Sequence, residues 1–551
     1  MSRWVKVTQV ILAIVAAVLV ASLFAGGMVG GASRDQPATP KPSGEPSALP
    51  LPEGARLPGV PEKPVKDHAL LPAVENANAD RQLDYKPKGD PQVTFLDSLG
   101  DLRAYATQVV AWKKCEDSDT SQCAKVRVPL DWDDPAGEAI EIAVRRVPGG
   151  DSSRGPLFVN PGGPGFGGQD IAEGLAGRWA NYDTIGWDPR GTGESTHVVC
   201  GTMEQTDKIM DLDASPDDDA EIAALRQGAV DFARQCRDAS GALLDHITTI
   251  DVVRDLDLLR HLLGAEKLNY VGISYGTFVG AMYAELFPNS VGRLVLDSAV
   301  EITDEEPIPQ SAGFELALTN FADWCADSSL CSLGTSSEQV LDDIDDFLQG
   351  LDAKPLKVGA RELTQTHAAS GIALFLYEDS TAYRGLAAML GQAYSGDGAS
   401  LLRAADYMNG REDNHYETIA YAFPAMACVD EADEGVATVM ADWRDTFSKA
   451  PVMGPNMGTS YTCQEWTAGS APRLKLTGAG APPILVVGTT GDSATPYQQA
   501  VSMAEQLESG TLLTLEGAGH GAVAGDNQCI AKAVDGYLLD GKAPKDGLKC
   551  N

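Results

Sequence analysis

From about residue 124 onward, short apolar runs alternate with stretches of helical spacing, and glycine-rich turns separate them. Residues 125–130 and 139–147 predict opening strands, and 156–160 predicts a short buried strand that ends in a glycine-rich turn. Residues 182–188 predict another strand, followed by Pro189-Arg190-Gly191. Val252, Leu256, Leu259 and Leu263 recur at helical spacing and stop at Gly264. Residues 268–273 predict a strand running into Gly272-Ile273-Ser274-Tyr275-Gly276, and 277–287 predicts a helix that Pro288 ends. Further buried strands are expected at 293–298, 483–488 and 511–515. Alternation of this kind predicts an α/β fold, a mostly parallel sheet with helices on both faces.

Residues 301–475 break the rhythm. Their spacing is largely helical, as over 314–324, 340–351 and 383–394, and no internal repeat accompanies it. An insertion between two sheet strands is expected to form a cap over the strands' carboxyl ends, where open α/β sheets bind ligands. The core is then split into 91–300 and 476–551, with the helical cap at 301–475 between them. Residues 34–90, rich in Pro, Ala, Gly and charge, predict a linker. Residues 1–33 predict a signal peptide or a membrane anchor. Arg3 and Lys6 precede an uncharged run over 10–28, and small residues follow.

Composition narrows the partners. Asp plus Glu number 78 and Lys plus Arg 42, so the 551-residue chain carries a net charge of -36. Nucleic acid and anionic membrane surfaces would both repel it, which leaves a membrane association only through the N-terminal segment. Ten cysteines suit an oxidising compartment, and the protein is expected to be secreted or extracellular, free or held to the envelope by an uncleaved N-terminal segment. Their pairing is open in principle. Sequence proximity suggests Cys115 with Cys123, Cys200 with Cys236, Cys325 with Cys331, Cys428 with Cys463, and Cys529 with Cys550. No Cys-x-x-Cys or His-Glu-x-x-His occurs, no dinucleotide fingerprint follows a strand, and the glycine-rich turn after 156–160 lacks the Lys of a P-loop. No metal or cofactor is expected.

The candidate chemistry starts at Ser274. Gly-x-Ser-x-Gly between a strand and a helix is a nucleophile elbow, a sharp turn that pushes the serine hydroxyl out of the backbone. A serine hydroxyl is a weak nucleophile at neutral pH, so it needs a base, and the base needs an orienting acid. On this fold the chain order is Ser, Asp or Glu, then His. After Ser274 the histidines are His367, His415 and His520, and the first two fall within the insertion. His520, in Gly519-His520-Gly521 just after the last apolar strand, is the expected base. Asp492, after the strand at 483–488, is the expected acid, with Asp297 one strand earlier as its rival. The oxyanion hole is expected from the backbone N–H of Tyr275 and from the loop Asn160-Pro161-Gly162-Gly163-Pro164-Gly165-Phe166-Gly167-Gly168. Gly163 is the first choice of donor there and Gly162 the second.

In order along the chain stand Asn160-Pro161-Gly162-Gly163-Pro164-Gly165, Gly186-Trp187-Asp188-Pro189-Arg190-Gly191-Thr192-Gly193, Gly272-Ile273-Ser274-Tyr275-Gly276-Thr277, Gly491-Asp492 and Gly519-His520-Gly521. Together they resemble the α/β-hydrolase peptidases of the prolyl aminopeptidase and secreted bacterial tripeptidyl aminopeptidase group, over about residues 90–551. The resemblance implies release of short peptides from free N-termini through an acyl-enzyme. It makes Ser274 the nucleophile, His520 the base and Asp492 its orienter, and it gives Asp188 and Arg190 a structural role in the loop beside the site. Prolyl aminopeptidases carry His-Gly-Gly-Pro where this chain has Asn160-Pro161 before the glycines. That difference, together with Cys428 and Cys463, shifts weight to the tripeptidyl branch. Recognition of a free amine calls for acidic partners from the cap, and Asp430 and Glu431 are candidates. A carboxylesterase or lipase with the same triad, or a prolyl aminopeptidase, is the alternative.

Overall fold

The computed structural model describes residues 95–150, 153–303, 308–430 and 435–551. The expected N-terminal signal or anchor, the linker and Glu431 lie outside these residues. The strands are β1 (Lys113–Lys114), β2 (Gln122–Pro129), β3 (Ala139–Val147), β4 (Pro156–Asn160), β5 (Asp183–Trp187), β6 (Leu268–Ile273), β7 (Val291–Asp297), β8 (Leu356–Val358), β9 (Arg361–Leu363), β10 (Ile484–Gly491), β11 (Gly510–Ala518) and β12 (Leu548–Cys550). All but β8 and β9 form one ten-stranded sheet in the order β1-β2-β3-β5-β4-β6-β7-β10-β11-β12. Pairing is antiparallel from β1 to β5 across β2 and β3, and parallel from β5 to β12.

Period-two alternation sends successive side chains to opposite faces. In β4, Phe158 joins a core with Tyr270, Leu294 and Val486, packed by the helices Thr249–Leu262 and Tyr275–Leu286. Leu157 and Val159 face the other way, with Val271, Val295, Leu485 and Val487, against the helices Gln169–Ala176 and Gln528–Asp540. The central strands are apolar on both sides because helices cover both sides, which is why they read as continuous apolar runs. Truncating the fully buried Phe158 to Ala would cost about 3–5 kcal/mol.

Between β7 and β10 the chain is mainly helical, from Gln310–Asp327 to Met453–Asn456, with the hairpin β8–β9 inserted. Most of these helices share a core of their own, in which Phe314, Phe321, Ile344, Leu348, Ile372, Leu386 and Leu401 meet, whereas the helix Ile419–Asp430 joins the core of the sheet through Tyr421, Ala425, Met426 and Val429. The five disulfides pair the cysteines nearest in sequence: Cys115–Cys123, Cys200–Cys236, Cys325–Cys331, Cys428–Cys463 and Cys529–Cys550. Five bridges fit an extracellular setting. Among the described residues no helix is long and apolar enough to cross a membrane.

Buried polar groups anchor the loop after β5. Arg190 is fully buried and forks onto Asp255, which is also fully buried, with Nε–Oδ2 and Nη2–Oδ1 both 2.7 Å. Its remaining N–H groups donate to the carbonyls of Pro129, Leu130 and His246. Asp188 accepts the N–H groups of Gly168 (2.8 Å), Gln169 (3.3 Å) and Glu194 (2.8 Å). Asp188 thus ties the loop after β5 to the loop after β4, and Arg190 ties it to the end of β2 and to the helix Thr249–Leu262.

Candidate active site

The strands β4, β6, β7, β10 and β11 run parallel, so their carboxyl ends lie along one edge of the sheet. Ser274 follows β6 directly, with φ 57° and ψ -128°. A non-glycine residue held there stores strain, which persists only where the surroundings over-determine it. The helix begins at Tyr275, two residues earlier than the sequence spacing predicts, so the serine sits at the helix N-terminus itself. The flanking glycines are dictated by crowding. A Cβ on Gly272 would run into the Gly276 carbonyl, and one on Gly276 would lie 2.9 Å from Asn160 Oδ1.

His520 follows β11, and its Nδ1 lies 2.8 Å from Oδ1 of Asp492. Asp492, at the end of β10, is almost wholly buried. Its Oδ1 also accepts the N–H groups of Ala494 (3.1 Å) and Thr495 (2.9 Å), which fixes the carboxylate before it meets the imidazole. Thr495 Oγ1 stands 3.3 Å from the same Nδ1. With Nδ1 engaged by Asp492, Nε2 is the ring nitrogen that Asp492 does not hold. Gly521, next to His520, stands beside Ile273, next to Ser274: a Cβ there would lie 3.9 Å from Ile273 Cγ2. Burial works against the charged imidazole, but Asp492 outweighs it, and with Asp297 and Glu378 adding their charges His520 titrates above its ordinary value.

Asp297, the rival acid, holds the loop of His520 and is fully buried at the end of β7. Its carboxylate accepts the N–H groups of Ala522 (3.1 Å) and Val523 (2.8 Å), and Ser298 Oγ accepts that of Gly521 (2.8 Å). Burial pushes the Asp297 carboxyl up to about 6, against the pull of those two N–H groups. Ser298 had no sequence signal beyond its place after a strand.

The glycine-rich loop after β4 lies against the elbow. A Cβ on Gly162 would lie 2.8 Å from Ser274 Cβ and 3.0 Å from Tyr275 N, and Gly162 has φ 96°, so only glycine fits. The Gly162 N–H is given to Asn160 Oδ1 at 2.9 Å. The N–H groups of Gly163 and Tyr275 have no acceptor among the described residues; Tyr275 is the first residue of its helix, where N–H groups lack an intrahelical partner. Of the two glycines, only Gly162 has its N–H already engaged.

The helical insertion reaches the site at three places. The Tyr377 carbonyl accepts the His520 N–H at 2.9 Å, and its ring stands edge-on to the imidazole at 5.4 Å and 86°. Phe423, on the helix Ile419–Asp430, packs its backbone against Gly165. Asp430, at the end of that helix, accepts the N–H (2.9 Å) and hydroxyl (2.6 Å) of Thr249, whose hydroxyl also contacts the Tyr275 hydroxyl. Asp430 is thus linked to the residue after Ser274, but its carboxylate already caps the helix Thr249–Leu262. The disulfide Cys428–Cys463 secures the same helix. His367 and His415 lie on the insertion, where His367 pairs with Asp211 and His415 with Glu417. Away from this edge, the carboxylates of Asp213, Glu221 and Asp352 converge to within 4.8 Å.

Comparison with known proteins agrees with this architecture. The family described as TAP-like protein matches residues 450–550. A tripeptidyl aminopeptidase of Streptomyces lividans is 34% identical over 460 residues, covering 78% of this chain and 83% of the relative. A protein of Mycobacterium tuberculosis named carboxylesterase B is 36% identical over 468 residues, covering 80% of this chain and 89% of the relative. The serine protease Hip1 of the same organism is 33% identical over 480 residues, covering 80% and 91%. The chain belongs to this TAP-like family of α/β-hydrolases, together with the tripeptidyl aminopeptidase of Streptomyces lividans.

Proposed function

We propose that the protein is an exported serine exopeptidase that releases short peptides, tripeptides above all, from the free N-termini of peptides. The observation that carries this is the Asp492–His520 pair at 2.8 Å on the strand edge that presents Ser274. In this mechanism Ser274 Oγ attacks the scissile carbonyl while His520 Nε2 takes its proton. Asp492 holds the imidazole by Nδ1 and stabilises the imidazolium. The oxyanion lies on the N–H groups of Gly163 and Tyr275, and losing such a donor typically costs about 2.7–4 kcal/mol of transition-state stabilisation. His520 then protonates the leaving amine, the acyl-enzyme remains on Ser274, and water activated by His520 releases the peptide.

The helical insertion, proposed as a cap over residues 301–475, would limit access to short or extended chain ends. Its contacts with His520 and Gly165 support that placement. Export is supported by the five disulfides and by the charged start and uncharged run of residues 1–33, proposed as signal or anchor. Asp430 and Glu431 are proposed as partners for the substrate amine, Asp430 because its helix borders the elbow.

A panel of aminoacyl, tripeptidyl and acyl-ester chromogenic substrates tests the proposal. Cleavage of tripeptidyl anilides that is lost on blocking the amino terminus is expected, and turnover of esters alone would overturn it. Esterase action is the second reading, favoured by the relative named carboxylesterase B.

A further inference from the structure

Of the phenylalanines among the described residues, only Phe166 and Phe423 are exposed, at 49% and 46%. Both stand at the loop proposed to hold the oxyanion. The Phe166 ring is beside Gly163, with Cδ2 3.3 Å from where a Gly163 Cβ would lie. Phe423 arrives from the insertion, its N and Cα 2.7 and 3.2 Å from where a Gly165 Cβ would lie. Two exposed phenylalanines from separate parts of the chain thus stand at one loop, Phe166 by its ring and Phe423 by its backbone. Exposed apolar residues scattered singly need no explanation, but a cluster rimmed by polar groups marks a contact site.

The direction of the chemistry says which part of a substrate they meet. The scissile carbonyl oxygen points at Gly163 and Tyr275, and the leaving amine must reach His520. The leaving side therefore lies towards the loop after β11. The acyl residue takes the remaining direction from the scissile carbon, away from the loop after β11 that carries His520, and neither Phe166 nor Phe423 is on that loop. We propose that Phe166 and Phe423 form an apolar wall for the side chain of the residue that supplies the scissile carbonyl, selecting Leu, Phe or a similar residue there over Gly. This rests on the peptidase reading above.

The test compares Ala-Ala-Leu-p-nitroanilide with Ala-Ala-Gly-p-nitroanilide, so that the leaving group and the free amine stay constant. An apolar pocket distinguishes side chains by about 10–200-fold per methylene at most, so a wild-type Leu/Gly ratio of kcat/KM near or above tenfold is expected. Phe166→Ala and Phe423→Ala should each lower that ratio at least about threefold, and Phe166→Leu should restore most of it. Both side chains are exposed, so thermal midpoints report whether the variants remain folded. A wild-type ratio near one, or a ratio unmoved in both Ala variants, overturns the wall. If no anilide is cleaved but p-nitrophenyl esters are, the peptidase reading fails. The Leu/Gly ratio measured on esters then decides the wall by the same criteria.

Discussion

The carboxylate of Asp297 accepts the backbone N–H of Val523 at 2.8 Å, three residues beyond His520, and does not serve as the imidazole's own partner. Two buried acids on neighbouring strands therefore have separate tasks. Asp492 orients the ring, and Asp297 anchors the loop that carries it. Asp492→Asn should lower kcat by about 10⁴-fold, as expected when the base loses its orienting acid. Asp297→Asn should lower it much less, because the amide oxygen still accepts one of the two N–H groups. Steady-state kinetics of the two variants check this, and equal losses would contradict the division.

Asp297 also gives a pH signature in stability. Its carboxyl is pushed from 3.8 to about 6 by burial, so the folded chain holds a proton there that the unfolded chain releases. The stability it contributes is present at low pH and is lost as pH rises through that window. The stability of the native protein relative to Asp297→Asn should fall between about pH 4 and pH 6 and level off above. Thermal unfolding of both across pH 4–8 reads the difference directly.

The pH dependence of activity follows from His520. In the proposed mechanism its active form is neutral, and Asp492, Asp297 and Glu378 hold its titration above the ordinary 6.5 against the effect of burial. The acid limb of kcat/KM should therefore lie above that value. Thr495 and Tyr377 also face the ring but carry no charge at these pH values. Removing one negative charge by Glu378→Gln should move the limb to lower pH. A limb that stays in place would show that the Glu378 carboxylate does not act on the imidazole.

Ser274→Ala should abolish both turnover and labelling by a fluorophosphonate. Gly163→Ala should retain labelling more weakly and lower kcat by about 10²–10³, the usual effect of losing an oxyanion donor. The residue has φ 110°, so a side chain also disturbs the loop that presents the N–H. Active-site titration beside kcat separates the two effects.

Arg190 and Asp255 are both fully buried. Truncating one partner leaves an uncompensated charge in the core, so Asp255→Asn or Arg190→Met should destabilise by about 3–5 kcal/mol. Denaturant unfolding gives the number. The loss should appear in stability before it appears in KM, since neither residue is placed at the substrate.

Much of this was legible along the chain because strand, turn and helix leave local marks. The strands at 139–147, 156–160 and 268–273 have the bounds predicted for them, since buried apolar residues dominate each run even where Glu141, Arg145, Arg146, Asn160 and Asn269 interrupt it. The disulfides pair neighbours in sequence, and short loops are the easiest to close. The insertion is different. Its helices are visible from spacing, but nothing in residues 365–394 signals that Tyr377 would meet His520, because that contact joins residues 143 positions apart.

The sequence by itself determined the order of strands and helices, the elbow at Ser274 and the histidine and acids available to it, because each depends on neighbours in the chain. Only the tertiary structure set Asp492 rather than Asp297 against the His520 ring, gave the Gly162 N–H to Asn160, and brought Tyr377 and Phe423 of the insertion to these loops. Those choices turn on hydrogen bonds across strands and loops far apart in sequence, and on which N–H groups the fold has already used.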